Sequence, residues 1–272
     1  MRVLGLLALC AASSSAQPTI TLRYFDIRGL AEPIRLTLAA LGLEWEEVKY
    51  ARCADGGCPA GVTDWNAAKE EGVRSGALPF GQVPSMTYID GGGHHFEMVQ
   101  SLAILRFLAR RHDFYGISEE EHVLIDVAVG GVGDMRQKYG ELAYSPDVHT
   151  NPELLRAYKE DYLPKWLGYL ERLLQRAGGS YFGGSSFSFA DTMVFDIIDH
   201  NQRVDPACLA PFPTLQQFMG SIGHKHGVWE YVSDPARRRA FANGANAAYD
   251  TPDHAPAGVG FAPPPKETKG EL

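Results

Sequence analysis

Tyr24 and the pair Gln100-Ser101 are the residues whose types and positions bear most directly on chemistry. Tyr24 lies near the end of an alternating stretch, Ile20 to Phe25, that reads as a strand, and side chains at strand ends can face a cleft. A phenol with a pKa of about 10 stays protonated at neutral pH and can donate one hydrogen bond to an anion. Ser101 stands at the start of an amphipathic helix, Gln100 to Arg111. Its hydroxyl and the unpaired N–H groups of the first turn make a place for a carboxylate. The same serine also fits a plain helix cap, and both readings hold together. Cys53 and Cys58 flank a Gly-containing loop and could pair in an oxidising compartment. Zinc would need two more ligands at useful spacing, and none follow. Cys208 reads as a buried structural thiol. His94-His95 and His224-Lys225-His226 lack both helical i,i+4 spacing and a nearby acidic partner, so they read as surface residues, and no metal is expected.

The elements that must position these groups fall into two textures. The strand Ile20 to Phe25 breaks at Gly29. Leu30, Ile34, Leu38 and Leu41 then recur at helical spacing, with Pro33 in the first turn and Gly42 at the end. Glu46 to Tyr50 reads as a second strand. Cys53 to Gly81 is a polar, Gly-rich connection with one short helix at most. Pro84 to Ile89 and His94 to Met98 read as strands joined by the turn Asp90-Gly91-Gly92-Gly93. The order βαβ then ββα is that of a thioredoxin-like domain. From Ser118 onward helical patterns dominate, over Glu119 to Leu142, Pro152 to Arg176, Phe187 to Gln202 and Thr214 to Ile222, and strand signals are absent. Ser188-Phe189-Ala190-Asp191 is a capping-box variant with a structural role. The fold class is therefore α+β. A thioredoxin-like domain over residues 18–112 precedes an all-helical domain over 118–248.

The chain of 272 residues carries 45% hydrophobic residues, enough for a substantial core. Its net charge of −8, with no long basic run, excludes an ordinary nucleic-acid binder. At the N-terminus Arg2, the apolar run Val3 to Ala12 and the small residues Ser13 to Ala16 form a secretory signal pattern over residues 1–16. That run is too short to span a bilayer. The chain ends Lys269-Gly270-Glu271-Leu272, one position away from a KDEL-type retrieval signal, after a flexible Pro/Gly/Ala-rich tail over 249–272. Together these place the protein in the secretory pathway and the endoplasmic reticulum lumen, with the cytoplasm as the alternative. No membrane span is expected.

Several separate motifs, in order from Ile20 to Ala240, resemble the soluble tyrosine-type glutathione S-transferases. They are Tyr24-Phe25-Asp26-Ile27-Arg28-Gly29-Leu30-Ala31-Glu32-Pro33-Ile34-Arg35, Gly81-Gln82-Val83-Pro84, Gln100-Ser101-Leu102-Ala103-Ile104-Leu105, Val132 to Tyr139, and Ser188 to Asp191. The resemblance is closest to the pi class. Leu30 stands where that class usually has an arginine and the mu class has leucine. Leu102 and the insertion Asp55 to Gly61 are further departures.

The resemblance implies specific roles. Tyr24 is the catalytic hydroxyl that holds the bound sulfur as thiolate. Val83-Pro84 is a cis bond whose Val83 backbone pairs with the cysteinyl part of glutathione. Leu30, Trp65, Lys69, Gln82, Gln100 and Ser101 are further glutathione contacts, with Trp65 and Lys69 at the glycyl carboxylate. Lys69 is otherwise a surface charge. Asp134, among Gly130, Gly131 and Gly133, reaches the γ-glutamyl amine of a dimer partner. Phe25 and Tyr144 line the electrophile pocket, and Arg28 orders the active-site loop through an ion pair. The implied activity is a transferase that conjugates glutathione to small hydrophobic electrophiles in detoxification, as a homodimer. Glutathione is then a co-substrate, and no cofactor is implied. A non-catalytic ligand-binding protein of the same fold and a glutathione-dependent isomerase are the alternatives.

Overall fold

The computed structural model describes residues 17–53, 57–237, 239–244 and 247. The signal-like segment over 1–16 and the tail over 249–272 lie outside the described residues. Five strands form one sheet: β1 (Thr19–Phe25), β2 (Glu46–Ala51), β3 (Val62–Asp64), β4 (Ser85–Ile89) and β5 (His95–Val99). Their order is β3-β2-β1-β4-β5. β1 runs parallel to β2 and antiparallel to β4, so it sits at the centre. Alternate β1 residues Ile20, Leu22 and Tyr24 are buried on one face, as period-2 geometry requires. Tyr24 is the last of that row, so the core that holds the strand also aims its ring.

Helices α1 (Glu32–Ala40), α2 (Trp65–Ser75) and α3 (Ser101–Arg111) accompany the sheet. α4 (Glu119–Ala143), α5 (Pro152–Ala157), α6 (Leu163–Arg176), α7 (Phe189–Val204), α8 (Pro213–Gly223) and α9 (Val228–Val232) follow. No named strand lies beyond Val99 among the described residues. α7 is buried on nearly every side and packs on both α1 and α4, which ties the sheet layer to the helices. The capping box at its start is present. The Asp191 carboxylate accepts from Ser188 N–H and Phe182 N–H, each at 2.8 Å.

Three local features differ from the sequence reading. The connection from Cys53 to Gly81 holds a strand, β3, as well as the eleven-residue α2. Three residues are too few to show a period. The single helix expected over Pro152 to Arg176 is interrupted by a π-turn, Tyr158–Tyr162, between α5 and α6. Pro164 has no N–H for the carbonyl four residues back, and Leu163 N–H instead reaches Tyr158 O, five back. The short α9 gave no periodic signal either.

Candidate active site

A cleft of about 310 Å³ opens where β1, β2, α2, α3 and the segment before β4 converge. Its lining includes Tyr24, Phe25, Leu30, Trp65, Lys69, Gln82, Val83, Pro84, Gln100 and Ser101, all named from the sequence, together with Arg52 and Gly81. Asp134 and Tyr144 do not line it. The Val83–Pro84 peptide bond is cis.

Tyr24 is 8% exposed, so its ring is held by the core and only its edge meets the cleft. Leu30 N–H donates to Tyr24 Oη at 3.0 Å. The phenol oxygen thus accepts from the backbone, which leaves its own hydrogen free to donate to a group in the cleft that Tyr24 lines. Burial raises the Tyr24 pKa above its ordinary value, and the Leu30 hydrogen bond offsets part of that rise. The hydroxyl is therefore a proton-bearing donor throughout the neutral range. Gly29 is needed beside it. Its φ is +47°, and a Cβ there would sit 2.5 Å from Tyr24 Oη.

The N-terminus of α3 forms the opposite wall. Gln100 is the N-cap residue and Ser101 the first helical one, so Ser101 is not the cap that the sequence suggested, and no side chain caps this helix. Gln100 precedes it with φ 71° and ψ 112°, a positive φ that a non-glycine residue adopts only where its surroundings impose it. Ser101 lines the cleft, so the start of α3, uncapped by any side chain, faces it.

On the α2 side, Trp65 is buried and packs against Phe25 and Tyr50, each with ring centroids 5.4 Å apart. Lys69 lies one helical turn on, and its aliphatic stem lies over Gly81. Phe25 is seated against Trp65, with the Arg52 guanidinium 5.8 Å above its ring. Arg52 escaped the sequence reading, and Gly81 stood in the Gly81-Gln82-Val83-Pro84 motif without a role of its own. The only available signal was their position, at the end of β2 and just before Gln82.

Tyr144 is 45% exposed and caps the end of α4. It lies near enough to Tyr24 for the two phenols to interact electrostatically. Asp134 is exposed on α4. Arg28 does form an ion pair, with Asp199 at 2.7 Å in a buried setting. Its Nε also donates to Arg239 O at 2.7 Å. The segment Arg239 to Asn243 straps the active-site turn. Arg28 N–H and Gly29 N–H donate to Phe241 O and Ala242 O at 2.9 and 3.0 Å. Asn243 Nδ2 donates to Tyr139 Oη at 2.9 Å. The strap thus takes the two N–H groups before Leu30 and fixes the turn that presents Leu30 N–H to Tyr24. Nothing in the sequence pattern marked it, because its acceptors are backbone carbonyls.

Cys53 and Cys58 are joined as a disulfide, with Cα atoms 5.2 Å apart. Asp64 lies with them, an acidic neighbour that linear spacing did not reveal. Its carboxylate already accepts from Cys53 N–H and Ala67 N–H. Cys208 is the buried thiol expected, and burial pushes its pKa up to about 12. The histidine pairs need correction in one respect, since His94 does have an acidic partner in Asp90 at 3.2 Å and His226 in Glu230 at 2.7 Å. Both imidazoles remain on the surface. Each carboxylate lies four residues from its histidine, a distance set by a turn or helix.

The family model described as "Glutathione S-transferase, C-terminal domain" matches residues 133–235. "Glutathione S-transferase P 1" of Bufo bufo is 32% identical over 229 residues, covering 84% of this chain and 98% of that protein. "Glutathione S-transferase Mu 2" of Mus musculus is 35% identical over 216 residues, covering 78% and 90%. The solved pi-class glutathione S-transferase of Onchocerca volvulus superposes with a TM-score of 0.69 at 30% identity, over 84% of this chain and 99% of that one. Relatives named P and Mu stand at similar identity, so overall likeness does not single out one class. Shared fold, matching length and this level of identity together show that the chain belongs to the glutathione S-transferase family.

Proposed function

We propose that this protein binds glutathione in the cleft and transfers small hydrophobic electrophiles to its sulfur, with Tyr24 holding the sulfur as thiolate. The observation that carries this reading is the Leu30 N–H on Tyr24 Oη, which occupies the oxygen as acceptor and leaves the phenolic hydrogen for a group in the cleft. A hydrogen bond to sulfur favours the thiolate over the thiol. Lowering the thiol pKa from about 8.5 to about 6.5 corresponds to roughly 2.7 kcal/mol and raises the ionised fraction at pH 7 from roughly 3% to roughly 75%. Holding sulfur and electrophile together removes much of the remaining entropic barrier. Tyr144 then stands across from the sulfur as a donor to charge developing on the electrophile. Glutathione consumption measured with a panel of electrophiles, and thiolate absorbance of the complex near neutral pH, test the proposal. Absence of both would sink it.

The γ-glutamyl carboxylate sits at the start of α3, the Val83 backbone pairs with the cysteinyl unit, and Trp65, Lys69 and Gln82 meet the glycyl end. Ser101→Ala is expected to raise KM for glutathione about tenfold, the worth of a charge-assisted hydrogen bond. The kcat should hold, because the group acts far from the sulfur. Initial-rate kinetics with varied glutathione check this.

The active unit is a two-fold dimer in which Asp134 reaches the partner's cleft. Val123, Val127, Gly130 and Asp134 recur along one exposed face of α4. A Cβ added at Gly130 or Gly133 would meet nothing within 4 Å, so the protomer itself does not require glycine there. A closely approaching partner does. The double variant Gly130→Ala/Gly133→Ala is expected to keep its helicity, since alanine favours helix by about 1 kcal/mol over glycine. Its dimer should weaken by about tenfold through overpacking, read by sedimentation velocity. Unchanged association would remove this face from the interface.

The signal pattern, the Lys269-Gly270-Glu271-Leu272 end and a disulfide in Cys53–Cys58 together support residence in the secretory pathway. Imaging of a protein tagged internally, away from both ends, tests this. A diffuse cytosolic signal would reject it.

A further inference from the structure

We propose that the Cys53–Cys58 disulfide and Arg52 form a positioning unit for the glycyl carboxylate of glutathione, so that opening the disulfide weakens glutathione binding without altering the chemistry at sulfur. The inference rests on the cleft being a glutathione site. It goes beyond that reading by assigning a role to the inserted loop.

Three observations converge. Arg52 lines the cleft with Lys69, is exposed, and directly precedes Cys53. The face of the Phe25 ring, 5.8 Å away, is its cation–π contact, and it forms no ion pair among the described residues. It is a cation on the cleft wall, over the Phe25 ring that packs against Trp65. Second, the disulfide ties Cys53, just after β2, to Cys58, just before β3. β2 and β3 pair in parallel, with Ala51 opposite Asp64. The covalent link therefore shortens the connection between the two strands at the point where Arg52 leaves the sheet. Third, one carboxylate connects the loop to helix α2. Asp64 Oδ2 accepts from Cys53 N–H at 3.2 Å, and its Oδ1 caps the helix by accepting from Ala67 N–H at 2.9 Å. Trp65 and Lys69, both on the cleft, are carried by that helix.

Opening the disulfide thus frees the backbone on which Arg52 is mounted and loosens one of the two bonds that fix the cap of α2. Tyr24, Leu30 and the strap lie on other segments and keep their geometry. The consequence is a loss of affinity at the glycyl carboxylate only.

The test uses the full chain in two redox states. A water-soluble phosphine reduces the disulfide. The phosphorus takes the oxygen of one water, the S–S bond breaks, and the two hydrogens end on the two thiols. The phosphine is removed by gel filtration before the assay, because phosphorus itself attacks electrophiles. Compared with the oxidised protein, the reduced protein, the Cys53→Ser/Cys58→Ser variant and Arg52→Ala are each expected to raise KM for glutathione about fivefold, as suits an exposed charge pair. The kcat at saturation should stay within about twofold, and Arg52→Lys should recover most of the affinity. Phosphine should have no further effect on the serine variant. Adding Arg52→Ala to it should cost less than the product of the separate effects. Circular dichroism melts check that each variant is folded. An unchanged KM in reduced protein that still turns over would overturn this inference alone, as would a fall in kcat with KM unchanged. Oxidised protein that neither binds nor consumes glutathione would overturn the underlying reading as well.

Discussion

Replacing Tyr24 by phenylalanine is expected to lower kcat/KM at pH 7 by about 10- to 100-fold while leaving glutathione affinity within about threefold. The size follows from opposing effects. Without the phenolic donor, the thiolate fraction falls from roughly 75% to roughly 3%. A more basic thiolate is a stronger nucleophile, and two pKa units return a factor of about 8. Ionisation alone therefore accounts for roughly a threefold loss. The remainder comes from a sulfur held beside Leu30 and a buried ring edge with no donor aimed at it, which raises the thiol pKa beyond its free value.

The pH profile separates this account from others. In the unaltered protein the rate should rise with thiol ionisation and then stay level. Burial lifts the Tyr24 pKa above its ordinary 10.0, so the donor is not lost on the alkaline side below about pH 10. In the variant the rise should move to higher pH by more than about two units, so that the gap between the two proteins narrows as pH rises above 7. Rate measurements over that range, with ultraviolet thiolate absorbance of each complex, check the prediction. A gap that stays constant with pH would mean that Tyr24 acts otherwise than through the sulfur's ionisation.

Replacing Arg28 by alanine is expected to destabilise the fold by about 3–5 kcal/mol, the range for breaking a buried ion pair from one side. Arg28 and Asp199 both have nearly inaccessible side chains, and their contact is 2.7 Å. The same guanidinium holds Arg239 O at 2.7 Å, so the change also releases the strap from the active-site turn. Denaturant unfolding followed by circular dichroism measures the loss, as a lower midpoint with unchanged slope. Arg28→Lys should recover only part of it, because an ammonium cannot serve a carboxylate and a carbonyl in the planar arrangement of a guanidinium. In a cycle with Asp199→Asn, the double variant should be less damaged than the sum of the singles, as removing both charges avoids leaving one buried. Strict additivity would show that the pair does not act as a unit. A loosened turn should also weaken the Leu30–Tyr24 bond, so the surviving folded fraction should show a raised thiol pKa.

The sequence by itself determined the parts that repeat. Alternation marked β1, β4 and β5 and set Tyr24 in the buried row with Ile20 and Leu22. Helical spacing marked α1, α3 and α4. Ser188 and Asp191 announced the capping box because a cap needs those residue types at that interval. The cleft residues Gln82, Val83, Pro84, Gln100 and Ser101 were legible because they stand in contiguous motifs at the ends of regular elements. Tertiary structure decided the rest, and the reason is the same in each case. A backbone N–H or C=O has no side-chain signature. The Leu30 N–H on Tyr24 Oη and the carbonyls of the 239–242 strap could be seen only once the chain was folded. Short elements such as β3 carry too few residues for a period. Contacts between distant segments, Arg28 with Asp199 or Asp64 with the Cys53–Cys58 link, depend on packing that no local pattern encodes.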